Sequence, residues 1–219
     1  MHPELLVLAS TAATIAFVHT IIGVDHYLPL TAVSAAKNWG MRKLTMVTTL
    51  IGFGHILGSV LLGFVGIAIR AKLDQLGFIE SVRGEIAAWL LVAFGLVYAV
   101  WGLRHAYKKK TKHAHVDANN AGFKLARFSP FAILVIFVIG PCEPLIPILM
   151  YPAMTYSVTG MLLVTSVFAV VTMLTMLGAV LITSYGLARL KRFSMFRFGH
   201  TACGATISAC GLAIIVLGA

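Results

Sequence analysis

Six side chains able to bind a metal or carry a proton fall within or beside apolar stretches of this sequence: His19, Asp25, His26, His55, Cys142 and Glu143. Imidazole, carboxylate and thiolate together suit borderline or soft cations such as nickel, cobalt, zinc, iron or copper, whereas magnesium and calcium want oxygen ligands. Of the seven acidic residues, Glu4, Asp74, Glu80, Glu85 and Asp117 read as terminal or loop positions; only Asp25 and Glu143 fall at spanning depth. A carboxylate at the bilayer centre costs about 2.5–3.5 kcal/mol on insertion scales and marks a functional site by default. The competing reading is a structural pair locking two helices. No Lys or Arg lies in the interior of an expected span, Arg104 and Arg197 standing at span ends, so such a pair would have to use His. A membrane histidine taken alone is more often a hydrogen-bonded packing residue, but three beside two carboxylates and a thiol favour ligation.

The elements that must position these residues are membrane helices. Only 11% of the 219 residues are charged and 59% are hydrophobic, against about 25% charged in a soluble domain. Apolar runs of about 20 residues without strand-like alternation indicate helices rather than a barrel. Six spans fit: Leu5–Ile22, Leu44–Ile69, Ile86–His105, Phe128–Tyr151, Val158–Tyr185 and Met195–Leu217. Lys and Arg concentrate in the segments after spans one, three and five, which places those loops in the cytoplasm and both termini outside. The net charge of +10 is thereby explained without nucleic acid. No cleavable signal peptide is expected, because the first residues lack a basic region. The three cysteines form no CxxC, so no stapled extracellular fold is indicated.

Two spans are expected to break. Gly140-Pro141-Cys142-Glu143-Pro144 interrupts the fourth, since proline removes a donor and clashes with the preceding turn. The first breaks at Gly23 and resumes through Pro29. A slide of 117 residues places Gly23 on Gly140, Asp25 on Cys142, His26 on Glu143 and His55 on Thr172. Three spans per half is odd, so the halves must insert with opposite orientation. Inverted repeats with discontinuous helices are a transporter architecture. The expected organisation is one membrane domain, 1–219, with a first repeat (1–106), a basic cytoplasmic linker (107–122) and a second repeat (123–219). Asp25, His26, Cys142, Glu143, His55 and His19 form the expected metal ligand set. Gly23, Pro29, Gly140, Pro141, Pro144 and Thr172 shape the pathway. Gly54 and Gly58 permit a close helix approach that would bring the His55 ring against a neighbouring backbone. Thr172, Thr175, Met173 and Met176 suit a pathway lining and ordinary packing equally. His113 and His115 in the linker read as a solvated basic loop rather than a metal site, and Cys203 and Cys210, amid small residues, as packing.

The run His19-Thr20-Ile21-Ile22-Gly23-Val24-Asp25-His26 resembles the HxxxxDH signature of nickel/cobalt transporters and the related motif of urease-accessory-type membrane proteins, with five residues rather than four between His19 and Asp25. Gly140-Pro141-Cys142-Glu143-Pro144 is similar to the Pro-Cys broken helix of the cytochrome-c-biogenesis (CcdA/DsbD) membrane family. Both belong to the LysE-type exporter superfamily of three-plus-three inverted repeats. The resemblance implies a non-enzymatic secondary transporter of a divalent transition-metal ion in the cytoplasmic (inner) membrane, proton-coupled, with no permanently bound cofactor and the ion as substrate. Its partners are that ion and the lipid bilayer; a homodimer is an open option. The alternatives are a thiol/disulfide reductant conduit, which would need a second broken-helix cysteine where Asp25 stands, and a non-transporting accessory factor.

Overall fold

The computed structural model describes residues 3–68, 73–108, 131–140, 142, 144, 148, 158–190 and 198–217. Every regular element among them is helical: α1 (Pro3–Ile22), a single 3-10 turn (Val24–His26), α2 (Leu28–Lys37), α3 (Met41–Ala68) and α4 (Leu73–Lys108), then α5 (helical residues 131–139), α6 (Val158–Leu190) and α7 (Gly199–Leu217). Five of these are long and apolar enough to cross a bilayer, namely α1, α3, α4, α6 and α7. The chain is an α-helical, membrane-spanning protein. The remaining expected span, Phe128–Tyr151, falls largely outside the described residues. Large apolar side chains such as Met46, Leu174 and Ile182 point outward, as on helices that are hydrophobic all round and meet lipid.

The first span breaks where its glycine stands. The Gly23 amide makes the last bond of α1, to the His19 carbonyl at 2.9 Å. Its ψ of 83° then turns the chain out of the helix into the 3-10 turn. Pro29 sits buried in the first turn of α2, where its missing N–H leaves no helical bond unmade. Asn38, with φ of 51°, caps the other end of α2 in the left-handed conformation, which asparagine tolerates.

Small residues set the closest packing. α4 and α7 cross with Gly95 against Gly204 and Ser208, and with Gly211 against Ala88 and Val92. A side chain on any of these glycines would collide with the opposing backbone. α1 packs on α6, α2 on α6 and α7, and α3 on α6, where Gly52 receives the Met173 and Met176 sulfurs. Two apolar clusters result. One gathers Leu30, Ile51, Leu91, Tyr98, Phe137 and Ile207 among others. The other gathers Ala12, Ala16, Ile56, Cys142, Val164 and Phe168.

One boundary differs from the sequence expectation in a way that matters. The third long helix starts at Leu73, not near Ile86, and carries Glu80 and Arg83 inside it. Glu80 is not a loop residue: it is buried and accepts a 2.9 Å hydrogen bond from Arg83 Nη1. Averaged hydropathy counts each charge against a span, yet an i,i+3 ion pair neutralises both on one helix face. A cation therefore does lie within a long helix, contrary to the expectation of none.

Candidate metal centre

Three elements converge on one point. α1 supplies His19 from its last turn, the 3-10 turn supplies Asp25 and His26, and α3 supplies His55. One ligand atom from each of the three histidines lies within 4.8 Å of the others. The His19 and His26 rings meet edge to face at 4.9 Å between centroids, and His26 and His55 at 5.1 Å. Through the break at Gly23, residues seven apart still stack onto one another. Gly23 is required there: a Cβ would strike the His26 ring and come within 3.0 Å of the His19 carbonyl.

The hydrogen bonds fix what each ring offers. His26 Nδ1 lies 2.9 Å from the Gly23 carbonyl and 3.3 Å from Asp25 Oδ1. His55 Nδ1 lies 2.9 Å from the Phe137 carbonyl. Carbonyl and carboxylate oxygens only accept, so Nδ1 carries the hydrogen in both rings. In a neutral imidazole that leaves the lone pair on Nε2. The Nε2 atoms of His19, His26 and His55 are all buried and have no hydrogen-bond partner among the described residues. A buried polar atom without a partner costs about 1–3 kcal/mol; three such atoms on rings that meet one another are hard to account for by packing. Metal-ligating histidines characteristically give their other ring N–H to a carbonyl or carboxylate, which fixes tautomer and orientation. Tetrahedral coordination at about 2.1 Å would place nitrogens about 3.4 Å apart, so a modest contraction, easiest for the less buried His19, would close the set on an ion.

The histidines open onto a cavity of about 350 Å³ that is lined otherwise mostly by apolar residues, among them Leu91 of α4 and Phe137 of α5, and that also meets Gly140 and Pro144. Apolar walls with a few convergent polar groups are the usual form of a binding site. The close approach expected from Gly54 and Gly58 is present. A Cβ on Gly58 would lie 2.9 Å from the Val138 carbonyl, and one on Gly54 would lie 2.9 Å from the Val138 side chain. That approach brings His55 onto the backbone of α5.

Of the other expected site residues, Gly23, Asp25, Gly140 and Pro144 also line the cavity, whereas Pro29, Cys142 and Thr172 do not. Asp25 reaches the centre through His26 rather than as one of the grouped ligand atoms. Cys142 lies in the second apolar cluster, against Ala12, Ile56 and Phe168, and is not among the grouped ligand atoms. Its amide donates to Ser59 Oγ at 3.1 Å. Thr172 is buried with its hydroxyl unpartnered and does not line the cavity. Pro141, Glu143, His113 and His115 lie outside the described residues. None of the three cysteines is in a disulfide, and Cys203 and Cys210 share the cluster that Cys142 does not join.

The residues that finish the break in α5 were not singled out by sequence reasoning. Gly140 N makes the last helical bond, to the Ile136 carbonyl at 2.8 Å. The Val138 carbonyl then accepts from Arg83 Nη2 at 3.1 Å, and the Cys142 amide turns to Ser59. A proline signals the loss of one helical bond, but not which distant side chain will replace it. Comparison of the chain with family models, curated proteins and solved structures gave no match.

Proposed function

We propose that the protein is a secondary transporter of a divalent transition-metal ion, with His19, His26 and His55 as the binding centre and Asp25 orienting His26. The observation that carries this reading is that three buried or half-buried histidines each bring a ring nitrogen within 4.8 Å of the others, while each also buries an Nε2 with no hydrogen-bond partner among the described residues. Neutral imidazole nitrogen favours nickel, cobalt, zinc or copper over magnesium or calcium. Binding needs the ligand nitrogens free of protons, so ion uptake releases protons and can draw on a proton gradient.

Alternating access would come from rocking of two inverted repeats. Several features support that relation. Gly23–His19 and Gly140–Ile136 end their helices with the same amide-to-carbonyl bond, 117 residues apart. Thr48 and Thr165 stand at the same offset, as do His55 and Thr172, and all four are buried with an unpartnered polar atom. The packing of α1 on α6 has its counterpart in that of α5 on α3, through Val138 and Gly54. The basic segments would face the cytoplasm and the membrane would be the cytoplasmic one. The reductant-conduit reading gains nothing, because Cys142 and the cysteine pair of α7 occupy different clusters.

Uptake of nickel, cobalt, zinc, iron or copper into proteoliposomes, with and without a pH gradient, tests the proposal. Flux of at least one ion that is lost in His26→Gln and His55→Gln is the expected result. Flux that survives both substitutions, or no flux of any ion despite correct insertion, refutes it.

A further inference from the structure

In a continuous helix the Phe137 carbonyl would accept from the amide of residue 141, but residue 141 is proline and has no N–H. A buried carbonyl must find another donor, and here the donor is His55 Nδ1, 2.9 Å away and 82 residues earlier in the chain. The neighbouring groups of the same break have other partners: Ile136 has the Gly140 amide, Val138 has Arg83, and Cys142 N–H has Ser59. Among the bonds that finish the break, the one from His55 ties it to the three-histidine cluster.

We propose that the Phe137 main-chain carbonyl, left open by Pro141, is a positioning group for the histidine centre: it holds the proton of His55 on Nδ1 and thereby leaves the Nε2 lone pair open on a ring packed against His26. The break in one half of the chain thus completes a centre whose side chains all come from the other half. The inference rests on the metal reading above for its purpose, but the ring proton it concerns is present without any metal. The two rings that donate to carbonyls share one logic. His26 takes its carbonyl from Gly23, at the break in its own half, and His55 takes its carbonyl from three residues before Gly140.

The test uses the full-length protein in nanodiscs with nitrogen-15-labelled histidine. Two-bond proton–nitrogen correlations report which ring nitrogen of each histidine carries hydrogen, before any metal is added. Wild type is expected to show His55 protonated on Nδ1. Pro141→Ala supplies an amide that competes for the Phe137 carbonyl. It is expected to move the His55 proton at least partly to Nε2 and to weaken cobalt(II) binding, read from the visible absorption of the bound ion, about 10- to 100-fold. Ser59→Ala disturbs the same break at Cys142 without touching Phe137 and should leave the His55 tautomer as in wild type. An Nε2-protonated His55 in wild type overturns the inference without need of any variant, as does a Pro141→Ala protein unchanged in both tautomer and cobalt affinity. If the tautomer responds as stated but wild type binds no cobalt, the positioning relation is supported and the metal reading alone falls.

Discussion

His55 Nδ1 and the carbonyl of Phe137 lie 2.9 Å apart across 82 residues of sequence. The contact joins α3 to α5 at the point where Gly54 and Gly58 remove the side chains that would hold those helices apart. It also leaves the Nε2 lone pair open on a ring that meets His26 edge to face. The geometry of one hydrogen bond therefore bears on binding, on helix packing and on the break that follows.

Removing the ligand nitrogens should abolish binding while sparing the fold. Gln at position 26 or 55 keeps much of the bulk and a polar group but lacks the imidazole. Each substitution should reduce cobalt(II) affinity by more than the 10- to 100-fold typical of outer-shell changes. His19→Gln should have a smaller effect, because His19 is the least buried of the three. Absorbance titrations in detergent check the order.

Asp25 acts through its neighbour. Its Oδ1 is 3.3 Å from His26 Nδ1, so Asp25→Asn should keep the protein folded and lower metal affinity about 10- to 100-fold. An effect equal to that of losing His26 itself would instead make Asp25 a direct ligand. Isothermal titration of both variants separates the two.

Glycine substitutions should couple packing to binding. At Gly23 a methyl group would strike the His26 ring, and at Gly58 it would crowd the Val138 carbonyl. Such overpacking costs about 1–3 kcal/mol. Gly23→Ala should lose metal binding beyond what its lowered thermal stability explains. Gly186→Ala, with open space around it, is the control and should change neither.

Arg83 and Glu80 should show strong coupling. Arg83→Ala takes away the cation bonded to a carboxylate that is only 2% exposed and the donor to the Val138 carbonyl. Breaking a buried pair costs about 3–5 kcal/mol. The Glu80→Gln/Arg83→Ala double variant should recover part of that loss in a thermal denaturation cycle.

Lys37, at the end of α2, is set up to titrate unusually early. Burial, with repulsion from Lys43 as the next cause, lowers its ammonium to about 8. Both ammonium groups approach the Trp39 ring, at 5.7 and 5.0 Å. Between about 8 and the usual 10.5 the folded chain binds fewer protons here than the unfolded chain, so this group's contribution to stability rises with pH through that window. Lys37 should react with acetic anhydride near pH 8 ahead of other lysines, as peptide mass mapping would show.

The membrane class and five of the long helices were legible in the sequence, because runs of about 20 apolar residues have few other uses. The break at Gly23 was legible too, and so were the meeting of His19, His26 and His55 and the close approach at Gly54 and Gly58. Each follows from the local chemistry of a residue type. Other features depended on which groups meet. Sequence equivalence of Asp25 and Cys142 did not tell that Asp25 lines the cavity while Cys142 packs in the second apolar cluster, because packing partners on separate elements are not written in either segment. Glu80 read as a loop residue because hydropathy counts charges singly, whereas the folded helix pairs it with Arg83. Pro141 announced that a helical bond would be missing. Only the tertiary structure decided that the carbonyl left open would meet His55, since a hydrogen bond spanning 82 residues is set by how α3 and α5 pack and not by either segment alone.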